Sequence, residues 1–223
     1  MIDGELFRAV DTYISREFSR DDEALSGVEK SLEKEGIHNI SVSSSQGKLL
    51  YLLAVLCKAS RILEIGTLAG YSTIWLARAL PAGGQLLSIE YDPRHVELAR
   101  ENIAKAGLSK VVEIRQGRAL EVLPRLSDER LPPFDMVFID ADKVPYDEYL
   151  RWSLKLTHPG SLIIADNVVR QGKVLEDNTS DDSVKGARRF LRLLSSTKQV
   201  EATVLQTVGA KGHDGMAIAV VKG

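Results

Sequence analysis

Short apolar runs alternate with stretches of helical spacing through the middle of the chain. The runs show little polar alternation, which is typical of strands buried on both faces of a parallel sheet. They predict five strands, at Arg61–Ile65, Gln85–Glu90, 111–115, Phe134–Ile139 and 161–165. Strands that alternate with helices indicate an α/β fold with right-handed connections between parallel strands.

The two ends of the chain depart from this alternation. Apolar runs at 200–208 and 216–222 have no helix between them, so they predict an antiparallel hairpin and a mixed sheet. Before residue 36, apolar residues recur at helical spacing, which predicts two amphipathic helices broken near residues 20–22. Residues 45–58 predict an apolar helix. We therefore expect one domain over 1–223, with residues 1–36 as an N-terminal helical extension.

Composition narrows the possible functions. The chain of 223 residues has 29 basic and 31 acidic residues, and this balance disfavours a nucleic-acid coat protein or a polybasic membrane binder. Cys57 is the single cysteine, which excludes an internal disulfide and a cysteine-based zinc site. No apolar run reaches 18 residues, and the first residues do not resemble a signal peptide. We expect a cytoplasmic protein that does not bind membranes.

Acidic residues stand where the predicted parallel strands end. Open parallel sheets bind ligands beyond the carboxyl ends of their strands, so these residues are candidates for a site. They are Glu64, Glu90, Asp140, Asp142 and Asp166. Several carboxylates that converge without arginine partners repel one another, and bound cations are expected to offset them. The polar stretch 167–182 predicts a mobile lid near the same edge.

A glycine-containing loop follows the first predicted strand. Gly66 and Gly70 allow a tight turn and a close approach to a ligand. Leu68 stands where a dinucleotide-binding loop has its second glycine, so a pyrophosphate cofactor is disfavoured. Glu64 suits a cationic amino-acid group, and Glu90 suits ribose hydroxyls, which together indicate a nucleoside with a cationic tail. The alternative that both glutamates only cap helices stays open.

Oxygen ligands follow two neighbouring predicted strands. Asp140, Asp166 and Asn167 offer two carboxylates and an amide oxygen, the donor set that Mg²⁺ prefers. Lys143 comes three residues after Asp140, and a divalent cation beside it would lower its pKa and suit it to act as a general base. Each aspartate could instead cap a turn, and Lys143 alone could be a surface charge.

Three blocks of sequence resemble one family. Residues 64–73 (EIGTLAGYST), 138–143 (FIDADK) and 164–168 (IADNV) are similar to the cation-dependent, S-adenosylmethionine (SAM)-dependent O-methyltransferases, which include the catechol and caffeoyl-CoA enzymes and small bacterial members. The resemblance covers nearly the whole chain from about residue 37. It implies a Rossmann-like seven-stranded sheet whose last strand is antiparallel, with helices on both faces.

The resemblance also implies a role for individual residues. It implies that Lys143 is the catalytic base, and that Asp140, Asp166 and Asn167 bind Mg²⁺ or another divalent cation such as Mn²⁺ or Ca²⁺. The residues expected to bind SAM are Val42, Glu64, Gly66, Thr67, Ser72, Glu90, Tyr91, Gly117, Ala119 and Asp140. The expected reaction moves the methyl group of SAM to one hydroxyl of a metal-chelated vicinal diol, a catechol-like or caffeoyl-type small molecule.

The sequence departs from the family in two places. Arg118 follows Gly117 where many relatives have an acidic residue, so adenine recognition would depend on the backbone and on Tyr91 or Ala119. His38 and Asp142 stand where the animal catechol enzyme has aromatic residues that sandwich the acceptor ring.

Two alternative functions remain. The acceptor could be a hydroxylated tRNA base, with a basic face formed by Arg188, Arg189 and Arg192, although the net acidity disfavours nucleic acid. The chain could also be a non-catalytic nucleoside-binding module, which would need neither a base nor an open metal site. The resemblance further suggests a homodimer with the N-terminal helices as contact candidates.

Overall fold

The computed structural model describes residues 4–223 and contains a seven-stranded mixed sheet. The strands lie in the order β3-β2-β1-β4-β5-β7-β6. Their bounds are β1 Arg61–Ile65, β2 Gln85–Glu90, β3 Val112–Gln116, β4 Phe134–Ile139, β5 Thr157–Ala165, β6 Val200–Gly209 and β7 Gly212–Val221. The first five strands are parallel, and β7 pairs antiparallel with both β5 and β6. The predicted fold class is confirmed.

Helices cover both faces of the sheet. They are α1 Gly4–Phe18, α2 Glu23–Lys34, α3 Ser44–Leu56, α4 Tyr71–Arg78, α5 Pro93–Lys105, α6 Ala119–Asp128, α7 Tyr146–Leu156 and α8 Asp182–Ser196. The break between α1 and α2 falls at residues 19–22, as predicted. Asp92 caps α5 by accepting a hydrogen bond from the Arg94 amide, which places the start of that helix directly after β2.

The alternation of side chains along each central strand builds two apolar layers. In β1, Ile62 packs into the layer formed with α2 to α5, whereas Leu63 and Ile65 pack into the layer formed with α6 to α8. Burial on both faces explains why these strands lack polar alternation. It also leaves the carboxyl ends of the strands as the sheet edge where polar side chains can gather.

The C-terminal hairpin is longer than the sequence pattern predicted. The predicted loop over 209–215 is wrong, because pairing continues to Gly209 and Gly212 and leaves a two-residue turn. The residues between Gly212 and Gly215 have little β propensity. Their pairing comes from the main chain against β6 rather than from side-chain pattern. The extra length brings Asp214 next to the segment that follows β5.

The N-terminal extension is only partly packed against the rest of the chain. Helix α2 buries Leu25, Val28 and Leu32, whereas α1 has no buried residue in the part of the chain that the structure describes. Residues 1–3 of the predicted extension lie outside the described residues. Among residues 4–223, no helix is long and apolar enough to cross a bilayer.

Candidate active site

A cavity of about 760 Å³ opens at the carboxyl ends of the parallel strands. Most residues that the sequence assigned to a site line this cavity: Val42, Gly66, Thr67, Ser72, Glu90, Tyr91, Gly117, Ala119, Asp140, Lys143 and Asn167. Glu64 and Asp166 do not line it and are almost fully buried just behind its wall. His38 lies instead in a separate groove beside α2.

The glycine loop after β1 is shaped by contact with the end of β4. Gly66 has a φ of +99°, and a Cβ built there would lie 2.0 Å from the carbonyl oxygen of Asp140. Any side chain at this position would separate the two strand ends. Gly66 therefore brings the loop and Asp140 together at one point of the cavity wall.

Glu90 fixes the glycine loop from the neighbouring strand. Its Oε2 accepts hydrogen bonds from the amides of Thr67 at 3.1 Å and Leu68 at 2.9 Å, and its Oε1 accepts one from the Asp92 amide at 2.9 Å. These bonds stabilise Leu68 at a left-handed φ of +49°. A carboxylate has about four acceptor positions, and these three bonds leave one on Oε1 that can still bind a ribose hydroxyl.

Glu64 lies beneath the loop and is fully buried. It accepts hydrogen bonds from Ser72 Oγ at 2.6 Å, Thr73 Oγ1 at 2.5 Å and Ser88 Oγ at 2.7 Å. Burial raises the pKa of Glu64 to about 7, and the three hydroxyl donors offset only part of that effect. The geometry indicates that Glu64 orients Ser72, which lines the cavity, and direct contact of Glu64 with SAM stays a prediction.

The raised pKa of Glu64 predicts a pH-dependent stability. The folded state binds this proton more tightly than the unfolded chain, so its contribution is full below pH 4.5 and is lost as the pH rises through about 7. We expect urea unfolding to show a loss of about 2–3 kcal/mol between pH 5 and pH 8 from this group. In Glu64→Gln this part of the loss should disappear, whereas the exposed control Glu97→Gln should keep the wild-type pH profile. Equal pH profiles in wild type and Glu64→Gln would contradict the assignment.

Lys143 is held in the cavity wall by two partners. Its Nζ donates to Asp140 Oδ1 at 2.9 Å and to Tyr146 Oη at 2.6 Å. Burial by itself lowers the pKa of Lys143, but the Asp140 carboxylate and Tyr146 outweigh burial and raise it above its ordinary value. This direction is opposite to the predicted lowering, which requires a cation that offsets the charge of Asp140.

The three predicted metal ligands come from the ends of β4 and β5. The pKa of Asp166 is raised to about 7, first by burial and then by repulsion from the Asp140 carboxylate. Two carboxylates that repel each other and the amide of Asn167 form an all-oxygen set that fits a hard divalent cation. Among residues 4–223, no cluster of three or more His, Cys, Asp or Glu side chains is arranged to hold a metal. Any site here therefore depends on the Asn167 oxygen, and on water or substrate.

Several residues around Lys143 were not identified from the sequence. Tyr146 is fully buried, and its Oη lies 3.3 Å from the carbonyl oxygen of Ile139 and 3.2 Å from that of Asp166. A Cβ on Gly186 in α8 would lie 2.1 Å from the carbonyl oxygen of Lys143. The spacing of three residues from Lys143 to Tyr146 was a usable signal, but nothing local pointed to Gly186.

The outer rim of the cavity combines aromatic and charged residues. The Arg118 guanidinium lies 4.7 Å from the centre of the Tyr91 ring, which is a stacking contact. Tyr149 Oη donates to Asp142 Oδ1 at 2.6 Å. Arg118 therefore covers the tyrosine that the sequence assigned to adenine, and Asp142 brings an aromatic ring from α7 to the cavity.

Asp214 of β7 shapes the segment after β5. Its Oδ1 accepts hydrogen bonds from the amides of Val169 at 3.0 Å, Arg170 at 2.8 Å and Gly215 at 2.9 Å. The segment continues as a 3-10 helix over Arg170–Leu175 that is interrupted by non-helical backbone at Gln171 and Gly172, so the first part of the predicted lid 167–182 is a tightly turned, irregular segment. Whether it moves stays a prediction.

Comparison with known proteins finds similar O-methyltransferases. A family model described as O-methyltransferase matches residues 15–221. A catechol O-methyltransferase of Niastella koreensis is 54% identical over 99% of this chain and 100% of its own length. A catechol O-methyltransferase of Mycobacterium tuberculosis is 43% identical over 96% of this chain and 95% of its own length.

A solved structure shares the whole fold. The O-methyltransferase TomG of Streptomyces achromogenes, involved in tomaymycin synthesis and solved in complex with SAM, is 46% identical. The match covers 100% of both chains with a TM-score of 0.96.

Proposed function

The chain belongs to the SAM-dependent O-methyltransferases, and from this premise we propose that it methylates one hydroxyl of a vicinal diol with a divalent cation as cofactor. The diol is a small catechol-like or caffeoyl-type molecule. The observation that supports the proposal most directly is that Lys143, Asp140 and Asn167 line one cavity together with the glycine loop. The names of the relatives at 54% and 43% identity agree with a catechol acceptor.

The residues over β1 and β2 form the donor end of the proposed site. Gly66, Thr67 and Ser72 would contact the methionine part of SAM, and Glu90 would accept from its ribose hydroxyls. Tyr91 and Ala119 line the cavity where the adenine is expected, with Val42 at the methionine end. Glu64 supports this end indirectly through its contact with Ser72.

The residues over β4 and β5 form the acceptor end. A divalent cation held by Asp140, Asp166 and Asn167 would lower the pKa of a bound hydroxyl and offset the charge that Asp140 presents to Lys143. Lys143 would accept the hydroxyl proton at Nζ, and its contact with Tyr146 fixes that nitrogen in position. Burial of Lys143 in the cavity wall limits the motion of its side chain. The strand ends of one sheet would hold both the donor and the acceptor, which aligns them for transfer.

A direct assay tests the proposal. Catechol, caffeate and the monophenol 4-hydroxybenzoate are incubated with the protein, methyl-labelled SAM and either Mg²⁺ or EDTA. We expect labelled methyl ethers from the two diols with Mg²⁺, and none from the monophenol. Methylation of the monophenol at a similar rate, or no labelled product from either diol with Mg²⁺, Mn²⁺ or Ca²⁺, would refute the proposal.

Contacts between α8 and neighbouring segments disfavour the tRNA alternative. Arg188 forms an ion pair with Asp177, and Arg189 lies 3.6 Å from Asp147 and donates to the carbonyl oxygen of Val144 at 2.6 Å. Two of the three arginines of the predicted basic face are therefore already bound to acceptors of the chain, which weakens their attraction to phosphates. A tRNA substrate added to the same assay would separate the two functions.

One alternative and one expectation are left. The alternative, a non-catalytic module, would not need Lys143 held beside Asp140, and it would be supported only by SAM binding in calorimetry together with no labelled product in the assay above. The homodimer also remains a prediction. The exposed apolar side chains of α1, Leu6 and Phe18 among them, are where we expect its contact.

A further inference from the structure

The strand order arranges the site along the sheet edge. The donor end lies over β2 and β1, the proposed metal ligands follow at β4 and β5, and β7 comes next. Arg170 lines the same cavity and is bonded through its amide to Asp214 of β7. It therefore lies on the side of the metal ligands that is away from the glycine loop. A group bound by Arg170 would belong to the acceptor rather than to SAM.

The guanidinium of Arg170 has unused hydrogen-bonding capacity. Its Nη1 is 4.0 Å from Asp214 Oδ2, a contact too long for a hydrogen bond, while Asp214 Oδ1 is occupied by three backbone amides. Its Nε is buried and has no hydrogen-bond partner within residues 4–223. Because the side chain is 31% exposed, a ligand in the cavity would meet the terminal nitrogens of the guanidinium rather than the buried Nε.

The backbone holds Arg170 in an unusual conformation. Asn167, Arg170 and Gln171 have φ values of +56°, +54° and +59°, in the left-handed region that side chains rarely adopt. The amide bonds to Asp214 stabilise this conformation. The position of Arg170 is thus imposed by the fold, and strain of this kind is concentrated at functional sites.

We propose that Arg170 binds a carboxylate on the acceptor, so that the preferred substrate is an acidic catechol of the dihydroxybenzoate type. This rests on the proposed function. A guanidinium binds a carboxylate through two parallel hydrogen bonds, which neither a neutral substituent nor the lysine ammonium can reproduce. The two hydroxyls would lie at Lys143 and the metal ligands, and the carboxylate would point toward β7.

Substrate selectivity tests the assignment. For 3,4-dihydroxybenzoate, 2,3-dihydroxybenzoate and the neutral 3,4-dihydroxybenzamide, kcat/KM is measured in wild type, Arg170→Gln and Arg170→Lys. We expect wild type to prefer one of the acids over the amide at least about tenfold, and Arg170→Gln to reduce that ratio about 10–100-fold. Arg170→Lys should recover part of the ratio. The matched control is Arg151→Gln, an exposed residue of α7 that pairs with Glu148, and it should keep the wild-type ratio.

Calorimetry provides a second readout. Titration of the preferred dihydroxybenzoate into protein loaded with Mg²⁺ and S-adenosylhomocysteine should show weaker binding in Arg170→Gln, with the affinity for S-adenosylhomocysteine retained. Weaker binding of S-adenosylhomocysteine instead would assign Arg170 to the donor and overturn the inference. An acid-to-amide ratio near one in wild type, or an unchanged ratio in Arg170→Gln, would overturn it while leaving the diol activity standing. Absence of product from every diol would refute the proposed function itself.

Discussion

Replacing Lys143 by alanine is expected to lower kcat by about 10²–10⁴-fold, the usual contribution of a positioned general base. The affinity for SAM should stay within about twofold, because Lys143 lies over β4 and the donor end lies over β1 and β2. Steady-state methyl transfer at saturating substrate measures the first quantity, and calorimetric titration with SAM measures the second.

Two further variants separate the chemistry at Lys143 from its packing. Lys143→Met keeps most of the buried side-chain volume, so a loss similar to that of alanine would assign the effect to the amine. Lys155→Ala, an exposed lysine of α7, is the control and should behave like wild type. A kcat within about fivefold of wild type in Lys143→Met would rule out Lys143 as the base.

Removal of the divalent cation should lower the rate of methyl transfer by a factor similar to that expected for Lys143→Ala. Metal ions stabilise developing charge in the transition state by several kcal/mol, so EDTA should slow methyl transfer by roughly 10³-fold. Re-addition of Mg²⁺ should restore the rate. Asp166→Asn should raise the Mg²⁺ concentration needed for half-maximal rate by at least about tenfold, since a carboxylate ligand is replaced by a neutral one.

The Asp166 variant is informative because it should fold. Burial and Asp140 already disfavour the charged carboxylate, so a neutral amide of the same shape removes an unfavourable interaction from the folded state. Without metal, the Tm of Asp166→Asn should therefore be at least as high as that of wild type. Asp128→Asn, at the exposed end of α6, is the matched control. Unchanged Mg²⁺ dependence in Asp166→Asn would remove Asp166 from the ligand set.

The periodicity of the sequence predicted most of the sheet. Strands β1, β2 and β4 have the predicted bounds, because burial on both faces favours largely apolar runs such as residues 136–139 of β4. Strand β3 is shifted by one residue, and β5 begins four residues earlier than predicted. The hairpin was the main error, since main-chain pairing through Gly212 and Asp214 leaves no apolar pattern to detect.

The sequence by itself determined which chemistry gathers at one edge of the sheet. Parallel strands end at a common edge, so Glu90, Asp140 and Asn167 had to lie along that edge once the strands were recognised. Three short blocks were also enough to indicate the family, and the comparisons confirm it. Both inferences use information that is local along the chain.

Only the tertiary structure decided which role each of those residues has. Glu64 and Glu90 both lie at the carboxyl ends of strands, yet Glu64 is buried beneath three hydroxyls of α4 and β2, whereas Glu90 binds amides of the loop after β1. The partner of Arg170 comes from a distant segment, β7, and the close approach of Gly186 to Lys143 also joins distant parts of the chain. Burial, unused donors and the raised pKa of Asp166 arise from contacts between residues far apart in sequence, and no local pattern contains them.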